Sequence, residues 1–190
     1  MKLIFFGGVQ GVGKTTLLSW LEKQFKESIT LLDPGELFRQ YFYKERIKTV
    51  EEIEEMIVNE IEKSPEDSVI VIHWHYAVKR PLGFIPQICY SRLKRIARNK
   101  KVERVVLLSV DASIEAIRQR RLKDRRSKNR DLSEVGISRE VEKDKEFLAE
   151  HEKLFSRMLG GKKVATFQLI NEDLQTAQAT LSRFFRGLLA

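Results

Sequence analysis

The sequence has a single cysteine, Cys89, in 190 residues. One thiol cannot close an intramolecular disulfide, so no disulfide framework holds the fold, and Cys89 is expected to be a small buried apolar side chain. Long apolar runs are scarce too. The longest, such as residues 69–72 and 105–108, are strand-sized and far short of the roughly 20 residues that cross a bilayer. The first apolar run starts at Leu3 and reads as the first strand, which leaves no signal peptide ahead of it. These absences lead to the expectation of a cytoplasmic protein with no membrane partner. Internal repeats, low-complexity tracts and interdomain linkers are also missing. A chain of 190 residues suits one domain with a full core.

Several functional signatures are missing as well. No aromatic-interleaved basic stretch, RNA-binding motif or helix-turn-helix pattern occurs, and neither does the strand-edge Asp-x-x-Gly or Asn-Lys-x-Asp of GTPases. Charge, by contrast, is abundant: 35 Lys and Arg stand against 27 Asp and Glu, a formal net charge of +8. It is unevenly spread, with residues 92–104 and 118–130 basic and residues 51–67 mostly acidic. Such segregation asks for an anionic partner or substrate. RNA would satisfy the charge but has no motif to support it.

The most specific motif is Gly8-Val9-Gln10-Gly11-Val12-Gly13-Lys14-Thr15, a complete G-x-x-x-x-G-K-[ST] phosphate loop. Its glycines let the backbone aim N–H groups at phosphate, Lys14 adds a point charge, and the Thr15 hydroxyl suits Mg²⁺. Gly8, Gly11, Val12, Gly13, Lys14, Thr15 and Thr16 are therefore the expected nucleotide-binding residues. The helix that follows adds its N-terminal dipole. Strand-type runs recur at residues 3–6, 29–32, 69–72, 105–110 and 164–170. Helical periodicity fills residues 15–26, 36–43, 50–63, 91–99, 113–126, 139–159 and 174–188. This alternation predicts an α/β fold, a parallel sheet with helices on both faces; the phosphate loop resembles that of P-loop NTPases, which implies their three-layer domain with a five-stranded parallel sheet in the strand order 2-3-1-4-5. Ligands would gather beyond the carboxyl ends of the strands, where Asp33, His73 and Asp111 fall. Asp111 or Ser113 is expected to cap the next helix, and the apolar stripe of the last helix to pack on the core.

After the second run stands Asp33-Pro34-Gly35-Glu36-Leu37-Phe38-Arg39. It resembles the adenylate kinase segment in which a glycine, an acidic residue and, three positions after the acid, an arginine open the acceptor-nucleotide helix. The resemblance implies acceptor roles for Gly35 and Arg39, with Arg39 clamping the monophosphate, a task that suits a guanidinium fork. A surface arginine on an amphipathic helix is the alternative. The usual Ser-Thr is replaced by Asp33-Pro34.

The third run leads into His73-Trp74-His75-Tyr76-Ala77-Val78-Lys79-Arg80-Pro81-Leu82-Gly83-Phe84-Ile85-Pro86. This is similar to the short archaeal adenylate kinases, which carry Asp-x-His, a basic residue before proline and Gly-[Tyr/Phe]-x-Pro at this place. His75, Pro81, Gly83, Phe84 and Pro86 match. The resemblance implies that His75, Lys79, Arg80 and Gly83 belong to the substrate site. His73 stands where the family has the aspartate that organises Mg²⁺. Neutral imidazole is a poor ligand for that hard cation, so Thr15, substrate phosphates and water, helped by Asp33, are the expected metal site. Zinc on His73 and His75 is the minor alternative, with no third ligand placed by motif.

The densest basic stretch, Arg118-Gln119-Arg120-Arg121-Leu122-Lys123-Asp124-Arg125-Arg126-Ser127-Lys128-Asn129-Arg130-Asp131, resembles the short lid of the same family with one residue inserted. The resemblance implies a lid over about residues 121–137 and acceptor helices over about 34–63. Lys14, Arg121, Arg126 and Arg130 would be catalytic, Arg125 competing with Arg126, because lid arginines stabilise the moving phosphate. A solvated basic helix is the alternative. The implied activity is that of a nucleoside-monophosphate kinase, adenylate kinase-like, transferring the γ-phosphate of ATP with Mg²⁺ to AMP or another monophosphate. A small homo-oligomer is implied too. A P-loop ATPase or switch acting on protein or RNA, and a P-loop kinase for another small metabolite, remain alternatives.

Overall fold

The first apolar run becomes β1 (Lys2–Gly7), whose side chains alternate between two cores as a strand period of two requires. Leu3 and Phe5 enter one cluster, Ile4 and Phe6 the other. The computed structural model describes residues 1–124 and 130–190. Arg125 and Arg126 therefore lie outside the described residues. The chain continues through α1 (Lys14–Phe25), β2 (Thr30–Leu32), α2 (Pro34–Leu37), a π-helical turn over Phe38–Lys44, and α3 (Val50–Lys63). Next come β3 (Val69–His73), β4 (Val78–Arg80), β5 (Gly83–Ile85), α4 (Tyr90–Arg98), β6 (Arg104–Asp111) and α5 (Ile114–Lys123). The final elements are α6 (Glu134–Leu159), β7 (Val164–Ile170) and α7 (Leu174–Leu189).

Five strands form one parallel sheet in the order β2-β3-β1-β6-β7. Counting sheet strands alone, this is the expected order, β6 and β7 being the fourth and fifth. The core of Ile53, Ile57 and Ile61 from α3, Leu93 and Ile96 from α4, and Phe155 from α6 covers one face. Leu17 and Leu21 from α1 with Leu181 and Phe185 from α7 cover the other. Parallel strands buried on both faces end together at one edge, and β1, β3 and β6 deliver the phosphate loop, His73 and Asp111 there.

Four details depart from the sequence expectations. The antiparallel hairpin β4–β5 was not foreseen, because three-residue strands carry too little periodicity to register. The helix expected from residue 139 starts at Glu134, where Ser133 caps it by accepting the Gly136 N–H at 3.0 Å. Gly136 thus lies in the first turn of α6 and does not close a connector. The helix before it ends at Lys123 rather than at residue 126. Cys89 is exposed rather than buried, because it occupies the N-cap position of α4. Ser113 does cap α5, accepting from Ala116 N–H at 3.2 Å.

Part of the charge segregation closes on itself. Arg95 of α4 binds Glu55 and Glu62 of α3, each at 2.6 Å, and Arg92 binds Glu55 at 2.5 Å. These acidic and basic segments are partners within the chain. Among the described residues, no helix is long and apolar enough to cross a membrane.

Candidate phosphate-transfer site

The loop between β1 and α1 needs glycine for steric reasons. Gly8, Gly11 and Gly13 have φ of 130°, 94° and 97°, a region that L side chains rarely adopt. A Cβ on Gly8 would stand 2.4 Å from the Val110 carbonyl oxygen, and one on Gly13 2.4 Å from Asn171 Nδ2. No side chain caps α1, which leaves its first N–H groups for a ligand. Lys14 is 5% exposed and curls back on its own loop, donating to the carbonyls of Gly8 and of Val9 at 3.0 Å. Its Nζ lies 3.5 Å from His75 Nδ1. Burial pushes the ammonium pKa down to about 7; Arg130 and Arg121 push the same way, while Asp144 and Asp33 oppose them.

Arginines from the end of α5 buttress this loop. Arg121, 1% exposed, donates to Gln10 O at 3.0 Å and to Asp131 O at 2.7 Å, and pairs with Glu140 of α6 at 2.5 Å. It is thus a buried strut. Arg120, which the sequence reading passed over, donates to Val12 O at 3.1 Å and Asn171 O at 2.6 Å. Asn171 donates to Val12 O at 2.7 Å. No motif marks Asn171; its only signal is its place just after the last strand.

On the other side, Asp33 accepts the Glu36 N–H at 3.1 Å and so caps α2. The same carboxylate meets His73 Nδ1 and Arg39 Nη2, each at 3.2 Å. Burial raises the Asp33 pKa, but the hydrogen bond and charge of His73, with Arg39, outweigh it and hold the carboxyl below its usual range. Arg39 also grips Glu36 at 2.6 Å, so its fork is occupied by carboxylates. Gly35 packs beside it. Thr15, Ser19, Asp33 and His73 border a cavity of about 130 Å³.

A second cavity, about 300 Å³, opens beside the loop between Gln10, His75, Lys79, Phe84, Arg121 and Arg130. Lys79 reaches Asp131 at 3.6 Å, and Arg130 reaches Asp124 at 2.6 Å. Arg80 turns away from this cavity, donating to Tyr43 OH at 2.9 Å. Gly83, with φ 131°, opens β5 just after the turn and pairs with Arg80. The structure thus brings His75, Lys79, Arg121 and Arg130 together beside Lys14, while Arg39 and Gly35 lie against Asp33, which borders the neighbouring cavity.

The family model described as AAA domain (AAA_17) matches residues 7–138. The chain belongs to that family. No curated protein matches the sequence. Among solved structures, YorR protein from Bacillus subtilis in complex with phosphorylated GDP is similar over 100% of this chain and 96% of its own, at 15% identity and TM-score 0.61. Deoxyadenosine kinase from M. mycoides, bound to dCMP and dCDP, is similar over 99% and 100%, at 17% identity and TM-score 0.55. Shikimate kinase from Acinetobacter baumannii with shikimate is similar over 98% and 92%, at 17% identity and TM-score 0.50. Likeness at these identities is one of fold, the α/β P-loop fold.

Three further groups shape the site of this AAA domain. His75 is kept neutral: burial, then the charge of Lys14 and His73, drives its pKa well below the ordinary value. Its main-chain N–H donates to Gln87 Oε1 at 2.6 Å, which fixes the segment between β3 and β4. Asp144 of α6, 4% exposed, accepts the Ala77 N–H at 3.3 Å; burial raises its pKa to about 6 against the pull of Lys14. Nothing in the sequence singled out Asp144 among the charged residues of a long helix. For metal, no group of three or more His, Cys, Asp or Glu able to hold an ion occurs among the described residues. His73 is committed to Asp33, and zinc on the histidine pair has no third ligand.

Proposed function

We propose that the protein is an ATP-dependent phosphotransferase acting on nucleoside monophosphates, AMP first among them. The observation that carries this reading is the cavity beside the loop, where Lys79 and Arg130 hold carboxylates that an acceptor phosphate can replace. Loop N–H groups and Lys14 grip the donor phosphates, Lys14 exchanging two carbonyls for phosphate oxygens. Arg121 fixes the loop from behind, and neutral His75 offers a hydrogen bond without adding charge. Thr15 and the ionised Asp33 border one cavity, an oxygen donor set that fits Mg²⁺ completed by phosphates and water. When bound there, Mg²⁺ would offset the charge on the phosphates. An acceptor phosphate is already a nucleophile, so no base is required.

The deciding experiment is a coupled assay with ATP and AMP, CMP, UMP, GMP or their deoxy forms. ADP production with at least one of them is expected, and no diphosphate from any of them would end this reading. The Asp33–His73 contact favours a second reading, a kinase for a small hydroxyl-bearing metabolite. An imidazole oriented by a carboxylate is the arrangement of a general base, which a hydroxyl acceptor needs and a phosphate does not. Nucleosides and shikimate in the same panel discriminate: phosphorylation of one of these, lost in His73→Asn, selects it.

Lys14 supplies a pH prediction. With its pKa near 7 in the empty site, the amine is largely neutral at pH 8 and must take up a proton when phosphates surround it. Calorimetry of Mg·ADP binding at pH 8, in buffers of different ionisation enthalpy, should show net uptake approaching one proton. Uptake should fade below about pH 6, where the empty site is already protonated. Zero uptake at pH 8 would refute the depressed pKa.

A further inference from the structure

The hairpin β4–β5 carries Lys79, Arg80 and Gly83 beside the loop, yet among the described residues its two strands pair only with each other. Beyond the exposed contacts of Lys79 with Asp131 and Arg80 with Tyr43, its stance depends on its root, Tyr76 and Ala77. The Tyr76 ring fills the space left by the missing side chain of Gly7, where a Cβ would fall 2.1 Å from Tyr76 Cε2. Its hydroxyl lies 2.9 Å from Phe5 O and 3.1 Å from Leu108 O, so it bridges β1 and β6. Ala77 follows, beyond the end of β3 and just before β4. Its N–H donates to Asp144, whose Oδ1 accepts it at 3.3 Å.

The acceptor is not a random surface of α6. Glu140, one helical turn before Asp144, pairs with Arg121, and Arg121 in turn holds Gln10 of the phosphate loop. A single rigid helix thus touches the donor loop through Glu140 and the hairpin root through Asp144. A carboxyl group at a site 4% exposed is costly to keep there, and on the sheet side it faces Lys14 and Asp111.

We propose that Asp144 is a positioning residue for the acceptor hairpin: its hydrogen bond to Ala77 pins the root of β4–β5 to α6 and so holds Lys79 at the cavity beside the phosphate loop. The residue touches no substrate; it acts through the Ala77 N–H. Asparagine keeps an acceptor oxygen of the same reach, whereas alanine removes it, which separates the hydrogen bond from the charge.

Two measurements test this on the full chain. Hydrogen exchange of the empty protein should accelerate about tenfold across residues 77–85 in Asp144→Ala and stay near wild type in Asp144→Asn, with amides of β1 and α1 unchanged. This arm is independent of any activity. The kinetic arm rests on the monophosphate kinase reading. The KM for AMP should rise about tenfold in Asp144→Ala with the KM for ATP within about twofold, and Asp144→Asn should restore it. Equal exchange in the two variants, or loosening spread over the whole chain, overturns the proposal. An absence of AMP phosphorylation in wild type strikes the proposed function alone, since the exchange arm still decides.

Discussion

Lys14→Met should remove phosphoryl transfer, lowering kcat/KM by at least about 10³-fold, and at the same time raise the melting temperature of the empty protein. The two effects share one cause. Lys14 is an ammonium in a site 5% exposed, held there by two carbonyls of its own loop and pushed down to about 7 by burial and the nearby arginines. Methionine fills much of the same volume without a charge to desolvate. The sign follows from proton counting. Between about 7 and the ordinary lysine value near 10.5, the unfolded chain binds the proton and the folded chain does not, so wild-type stability rises with pH across that window. The advantage of Lys14→Met is therefore largest at pH 7 and below and vanishes towards pH 10.5. Thermal melts at pH 6.5, 8 and 9.5, paired with the coupled assay, check both halves. A variant that is inactive and less stable at every pH would show that Lys14 is a structural tie of the loop and not a charge stored for phosphate.

Why the loop was legible and much around it was not is a matter of range. Gly8 to Thr15 is a local motif, and its glycines are required by φ values and by the close approach of Val110 and Asn171. The strands were legible because parallel strands buried on both faces leave clear apolar runs, while their order came with the likeness to P-loop folds. Partners across the fold leave no such trace. Arg120, Asn171, Gln87 and Asp144 meet the site from separate elements, and none sits in a recognisable local pattern. Composition misled at Cys89, which chain direction at the start of α4 turns outward. At Arg39 the residue was found but not its state: the sequence shows an arginine three positions after an acid, and the structure shows that same acid and Asp33 occupying its fork. At His73 the residue was likewise found without its partner: its imidazole lies 3.2 Å from Asp33, and both border one cavity with Thr15.

Arg121→Ala should cost about 3–5 kcal/mol of stability, enough to lower the melting temperature by roughly 10 °C for a domain of this size. The side chain is 1% exposed. Its removal leaves Glu140 facing a cavity without its cation and strips the carbonyls of Gln10 and Asp131 of donors. It also deletes the stem that lies against Gly11, where a Cβ would sit 3.0 Å from Arg121 Cγ. Lysine is a poor substitute, because one ammonium cannot reproduce three bonds fixed by a planar fork. Pairing Arg121→Met with Glu140→Leu should recover most of the stability, since no buried charge is then left alone. It should not recover nucleotide affinity, because the loop backbone at Gln10 is still untied. This separates two roles that the sequence alone merges. A lid arginine that meets the transferring phosphate would lose kcat on substitution while leaving the melting temperature unchanged. A strut loses stability first, and its kinetic defect falls on the KM for ATP. Denaturant unfolding with steady-state kinetics on the single and double variants decides between them, and an Arg121→Ala protein as stable as wild type would return Arg121 to the lid.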